Sequence, residues 1–260
     1  MSVRGTALIT GASSGIGAEF ARVFAARGHD LILVARRRDA LEAIAGQVEG
    51  RHRVRAVVMP FDLAEQDAPA RLFEAVHGAG LQVDILVNNA GFGLAGEFAE
   101  TDIERELEMI QVNVVALTQL TKLFLGPMLQ RRSGGILNVA SVAGLFPGPL
   151  RSVYYATKAY VLSFTEAIAE ELRDSGVTVT ALCPGPVATE FHGISGGTAE
   201  SFGPKSIADV SEVARFGYRA LQAGTRVAVP GVQNKIVVQA RRLAPRRLVT
   251  RLVRLVQERR

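Results

Sequence analysis

The sequence predicts a single α/β domain: a doubly wound, mainly parallel sheet of seven strands with helices on both faces. Three observations carry that prediction. Seven apolar runs recur along the 260 residues, and most are continuous rather than alternating, the pattern of parallel strands buried on both faces. Helix-patterned stretches separate them, as right-handed crossovers require. A glycine-rich turn, Asn89, Ser141 and Pro184-Gly185 all fall at the carboxyl ends of strands, where an open parallel sheet keeps its ligand crevice.

The first strand, residues 6–10, runs into Thr10-Gly11-Ala12-Ser13-Ser14-Gly15-Ile16-Gly17 and a helix over 15–27. A strand, a glycine turn and a helix N-terminus make an anion site, because free backbone N–H groups and the positive end of the helix dipole face the ligand. Gly11 permits the tight turn; Gly15 and Gly17 let the backbone approach a pyrophosphate and the helix pack on the strand. The spacing is G-x-x-x-G-x-G rather than G-x-G-x-x-G, and no Lys follows the last Gly, which excludes an ATP-type P-loop. Strands follow at 31–35, 54–59, 85–88, 135–140, 177–183 and 226–229, with helices at 39–49, 67–78, 102–130, 155–174 and 207–222. Pro127 is expected to stop or kink the long helix. Residues 188–206 break the rhythm, and the run from His192 to Thr198 reads as a mobile loop over the crevice.

Composition narrows the classes. A 48% hydrophobic content suits a globular core, and one Cys rules out an intrachain disulfide. Cys183 ends an apolar run and reads as a core thiol; the four His have no metal-ligand spacing. No apolar stretch approaches the ~20 residues needed to span a bilayer, and with Met1 to Arg4 running straight into the first strand no signal peptide is expected. A cytoplasmic location is expected.

The net charge of +5 is unevenly placed. Residues 235–260 hold nine cations against Glu258 alone, a surplus of eight that leaves residues 1–234 at −3. The basic character therefore belongs to a tail, residues 231–260, beyond a catalytic unit over 1–230, and no nucleic-acid motif accompanies it. From Arg246, Leu248, Val249, Leu252, Val253, Leu255 and Val256 share one helical face, with Arg247, Arg251 and Arg254 on the other. Two readings stand: packing on the body or a second subunit, and peripheral contact with a membrane surface.

The most informative spacing is Tyr154 to Lys158, one helical turn apart and thirteen residues after Ser141. An ammonium beside a phenol favours the phenolate, so Lys158 is expected to lower the pKa of Tyr154 and fit it to pass a proton to a carbinol oxygen. Ser141 is expected to hydrogen-bond the same oxygen.

With the glycine turn upstream, these residues resemble the classical short-chain dehydrogenases/reductases over about residues 6–229. Asn88-Asn89-Ala90-Gly91 resembles the strand-four motif, Asn113 stands where the family keeps a catalytic Asn in a kinked helix, and Ser141, Tyr154 and Lys158 match the other catalytic positions. Pro184-Gly185-Pro186-Val187-Ala188-Thr189 is similar to the segment that closes over a nicotinamide. The resemblance implies a Rossmann-type fold, hydride exchange between a small-molecule ketone and a secondary alcohol, and a homodimer or homotetramer. It also implies cofactor contacts at Gly11, Ser13, Ser14, Gly15, Ile16, Gly17, Asn89, Ala90, Gly91, Tyr154, Lys158, Pro184, Gly185, Val187 and Thr189, and at Asp62 and Leu63 beside the adenine. Asn113 would hold a water that relays protons to Lys158.

The second strand ends Val34-Ala35-Arg36-Arg37-Arg38, with no acid before Asp39 to take a ribose hydroxyl of NAD. Arg36 is the expected 2′-phosphate ligand and NADP(H) the expected cofactor, the other two arginines capping a surface turn. A non-catalytic sensing or scaffolding protein on the same fold is the second reading; it would be free to lose the catalytic residue types, and all four are present. The substrate itself is not encoded in any motif, although Leu145 to Leu150 and Phe191 suggest an apolar, lipid-like ketone.

Overall fold

A computed structural model describes residues 5–187, 208–240 and 245–258. Its sheet contains β1 (Thr6–Thr10), β2 (Asp30–Ala35), β3 (Ala56–Pro60), β4 (Ile85–Asn88), β5 (Gly134–Val139), β6 (Val177–Leu182) and β7 (Val227–Ala228). The order is β3-β2-β1-β4-β5-β6-β7 and every pairing is parallel. The chain therefore reverses its winding between β1 and β4, and a crevice opens beyond the ends of those two strands.

Around the sheet lie α1 (Gly15–Ala25), α2 (Arg38–Arg51), α3 (Ala68–Gly78), α4 (Ile103–Ile110), α5 (Leu117–Arg131), α6 (Ser152–Glu171) and α7 (Val210–Gln222). Beyond β7 come α8 (Val232–Ala240) and α9 (Arg246–Glu258). Alternation along β1 divides the core into two layers. Ala7 and Ile9 join Phe20, Phe24, Leu41 and Val213 under α1, α2 and α7. Leu8 faces the other way, into Leu72, Leu120, Phe124 and Met128 under α3 and α5. A buried amide relay crosses the second layer: Asn88 Nδ2 donates to Asn138 Oδ1 (2.9 Å) and Thr121 Oγ1 (3.0 Å), and Asn138 Nδ2 donates to Thr165 Oγ1 (3.0 Å). It ties β4 and β5 to the helices that carry the site.

The long predicted helix is not one regular helix. Between α4 and α5 the chain passes through a π-helical stretch, Gln111–Ala116. Pro127 does not stop α5, which continues to Arg131 and ends at Arg132 in the left-handed region. The buried stripe of Leu117, Leu120, Phe124 and Met128 outweighs the one backbone bond that proline removes. The 29-residue run Ile103–Arg131 is long and apolar enough to cross a membrane, contrary to the sequence expectation, but its stripe of Ala116, Leu120, Phe124 and Met128 lies in the core. Helix α6 starts at Ser152 rather than 155, which places both Tyr154 and Lys158 inside it. The predicted loop over 188–206, with Thr189 and Phe191, lies outside the described residues.

Candidate active site

The glycine turn is held by backbone. Gly11 has φ +66°, and a Cβ there would lie 2.8 Å from Asn89 Nδ2. At Gly17 a Cβ would lie 2.2 Å from the carbonyl oxygen of Gly11, so no side chain fits while the helix rests on the turn. Thr10 Oγ1 accepts from the N–H groups of Asn89 and Ala90 (both 3.0 Å), and Asn89 Nδ2 donates to the Thr10 carbonyl (2.9 Å). The two strand ends that flank the crevice are thereby locked together. Ser14 caps α1 in an extended conformation without a side-chain hydrogen bond, so the first-turn N–H groups remain for a ligand. A bare-backbone cradle at a helix N-terminus fits a dinucleotide pyrophosphate.

One cavity of about 820 Å³ runs along the strand ends. Every described residue assigned to the site from sequence lines it except Gly17, which is buried inside the turn, and Asn113, which lies behind the wall. At the end near β2, Arg36 stands 3.9 Å from both Asp62 Oδ2 and Glu108 Oε1, and Asp62 Oδ1 accepts from Ala64 N–H (3.0 Å). Arg37 is the N-cap residue of α2, but its Nη2 also donates to Ser13 Oγ (3.4 Å), and it lines the cavity beside Arg36. Arg38 does not line the cavity and stands 3.6 Å from Glu42. Two guanidiniums beside the glycine turn make this end a fit for the extra phosphate of NADP(H).

At the other end, Ser141 Oγ accepts from Ala143 N–H (3.1 Å) as the cap of a short 3-10 turn and shares a side-chain hydrogen bond with Tyr154. Lys158 Nζ donates to the Val139 carbonyl (2.8 Å) and lies 6.0 Å from the Tyr154 ring centre. Asn113 reaches the site indirectly. Its amide donates to the carbonyl of Phe92 (2.9 Å) and to Thr157 Oγ1 (3.1 Å), and accepts from Phe92 N–H (3.1 Å). Those bonds fasten the chain beyond β4 to the turn of α6 that holds Tyr154 and Lys158. The π-helical stretch is what turns Asn113 inward.

The electrostatics reverse one sequence expectation. Burial pushes the Tyr154 phenol up to about 12, outweighing the lowering by Ser141 and by Arg151. Lys158 is itself driven down to about 8 by burial, so in the ligand-free protein the ammonium does not override the loss of water around the phenol. Burial likewise raises Cys183 to about 12 and marks it as a core thiol.

Sequence reasoning missed three contributors. Arg151 is 8% exposed and lines the cavity beside Tyr154. The tail folds over the same end: Val237 from α8 and Val249, Leu252, Val253 and Val256 from α9 form part of the wall. Gln257, 6% exposed, donates from Nε2 to Tyr155 Oη (2.6 Å). The apolar face of α9 was legible in the sequence; its destination was not.

Comparison with known proteins agrees with this geometry. A family profile described as short chain dehydrogenase matches residues 5–196. A very-long-chain 3-oxoacyl-CoA reductase of Bos taurus is 31% identical over 206 residues, 77% of this chain and 65% of the relative. The chain thus spans about 65% of that relative's length. Among solved structures, a short-chain dehydrogenase from Sphingobium yanoikuyae in complex with NADPH superposes with TM-score 0.83 at 33% identity, covering 92% of this chain and 94% of the other. A bulky-bulky ketone specific alcohol dehydrogenase from Comamonas testosteroni gives TM-score 0.79 at 30% identity, covering 91% and 92%. With its parallel sheet, glycine turn and Ser141–Tyr154–Lys158 cluster, the chain belongs to the short-chain dehydrogenase family.

Proposed function

We propose that the protein is an NADP(H)-dependent oxidoreductase that reduces an apolar, lipid-like ketone to a secondary alcohol. The observation that carries this reading is the single cavity that joins the glycine turn and two arginines at one end to Ser141, Tyr154 and an apolar wall at the other. The relatives named for NADPH, a 3-oxoacyl chain and a bulky ketone support the same reading.

The bound cofactor supplies a hydride to the carbonyl carbon. The chain supplies the rest. The first turn of α1 and Ser13 and Ser14 hold phosphate, Arg36 and Arg37 neutralise the 2′-phosphate, and Asp62 and Leu63 face the adenine. Ser141 positions the carbonyl oxygen and Tyr154 gives it a proton. A phenol held neutral by burial is a proton donor at rest, the state that reduction requires. Lys158, held by Val139 against the wall, would hold the nicotinamide ribose, and Asn113 sets its turn of helix.

Residues 1–230 form the catalytic unit in this proposal, and residues 231–260 cover its substrate end. The arginine face of α9 gives the protein a peripheral contact with anionic membrane, at a cytoplasmic location. Exposed Ile103, Leu107 and Tyr160 supply an apolar face for a homodimer or homotetramer. The test is NADPH oxidation against ketones graded by chain length and ring size, with light scattering and vesicle flotation on the same preparation. Turnover that rises with apolar size is expected; no turnover of any ketone, with NADPH still bound, would favour a sensing role.

A further inference from the structure

The cavity wall beside Tyr154 contains a charged group that the hydride-transfer chemistry does not use. Arg151 is the N-cap of α6, three residues before Tyr154, and is 8% exposed. Its backbone is satisfied: the N–H donates to the Gly148 carbonyl (3.1 Å) and the carbonyl accepts from Tyr155 N–H (3.0 Å). Its guanidinium has no ion pair or hydrogen bond among the described residues, yet it lines the cavity with Tyr154 and Tyr155.

Arginine carries five donors and keeps its charge at any ordinary pH, so a buried guanidinium is retained where something pairs with it. The acidic residues among the described part of the cavity wall do not serve. Asp62 and Glu108 stand at the far end, each within 3.9 Å of Arg36, and Glu108 also pairs with Arg105. Burial holds the Arg151 guanidinium below its ordinary value, while Tyr155 and Tyr154 act in the opposite direction. The substrate end thus presents three things together: an oxygen site at Ser141 and Tyr154, a cation with no ionic partner among the described residues, and an apolar wall from α9. A ligand complementary to all three has a carbonyl, an anion near it and a hydrocarbon body.

We propose that Arg151 is the anion-recognition residue of the substrate pocket, and that the substrate is an apolar oxo acid whose carboxylate pairs with it while the chain runs beneath α9. The proposal rests on the hydride-transfer reading above and narrows its substrate class. A planar carboxylate matches the guanidinium fork in two bonds, which would also fix the register of the carbonyl at Tyr154.

The test compares a medium-chain oxo acid, its methyl ester and the ketone of equal length without the carboxyl group, on wild type, Arg151→Met and Arg151→Lys. In wild type, kcat/KM for the acid should exceed that for the ester by at least about tenfold, and Arg151→Met should bring the ratio close to one, chiefly through KM. Arg151→Lys should keep part of the preference. Calorimetry on the NADP-bound enzyme with dodecanoate and dodecanol reads the same preference without turnover, so an absent ketone reductase activity would overturn the function and leave this inference decided by binding. The wild-type comparison of acid with ester needs no variant to fold. Equal affinity for acid and ester in wild type would overturn the proposal. So would an equal fall for all three substrates in Arg151→Met with a displaced pH profile, which would place Arg151 in the service of Tyr154.

Discussion

The two ends of the cavity are made from different materials. At the phosphate end the wall is backbone: strand ends locked by Thr10 and Asn89, and a turn in which Gly17 leaves no space for a methyl group. At the substrate end the wall is side chain, much of it from α8 and α9, more than seventy residues after Tyr154. A backbone wall tolerates little and admits one ligand shape. A wall of Val and Leu on an exposed helix is changed by single substitutions without disturbing the sheet. The fold thereby separates what must stay constant from what sets substrate choice.

Substitutions can break that comparison, and the largest effect belongs at the point where the two ends meet. Tyr154→Phe should lower kcat about a thousandfold while the NADPH dissociation constant moves less than about threefold. Tyr155→Phe should keep most of the turnover, because Tyr155 faces Gln257. The opposite ranking would mean that the register of α6 is misassigned.

Next comes Arg36→Ala, which removes a charge-assisted contact worth about 1.5–3 kcal/mol, roughly tenfold to a hundredfold in NADPH affinity. NADH affinity should hardly change. Arg37→Ala should act in the same direction, and equal losses for both cofactors would show that these arginines only shape the turn.

At the substrate end, Leu252→Asp should raise KM for apolar ketones about tenfold, since a carboxylate would replace apolar wall. NADPH affinity should stay constant. A loss of cofactor binding in this variant would mean that α9 supports the whole crevice rather than one end of it.

The smallest effect is on stability. Burial depresses Lys158 from 10.5 to about 8, so between these values the unfolded chain binds more protons than the folded one. Stability should therefore rise with pH across that window in wild type, relative to Lys158→Met, and the benefit should be lost as pH falls through about 8. Tyr154 has the opposite sign: raised from 10.0 to about 12, it favours the folded state below 10 and loses that contribution as pH climbs to 12. Chemical denaturation of the ligand-free protein from pH 8 to 9 isolates the lysine, because above 9.0 the buried Cys183 thiol, raised to about 12, acts in the opposite direction.

What was legible in the sequence is what depends on local spacing. The glycine turn, the one-turn separation of Tyr154 and Lys158, and the apolar strand runs can be read within a dozen residues of themselves. The wall residues Arg151 and Gln257 cannot: Gln257 meets Tyr155 across 102 positions, and an arginine before a helix looks like any surface cap until its burial is known. The sign of the Tyr154 shift was misread for the same reason. Spacing showed the neighbouring ammonium, but desolvation depends on everything packed around the phenol. The π-helical stretch Gln111–Ala116 has the composition of an ordinary helix, and only the resemblance, which implies a kinked helix at Asn113, pointed to it.

The bond between Gln257 and Tyr155 also bears on the order in which the molecule is made. All seven strands leave the ribosome before α9 does, and at ~5–20 residues per second the stretch from β7 to Gln257 takes on the order of seconds to synthesise. During that interval the sheet can form with the apolar end of its cavity open to water and to chaperones. The cavity is therefore made uncovered, and its apolar end is the last part of the described structure to close.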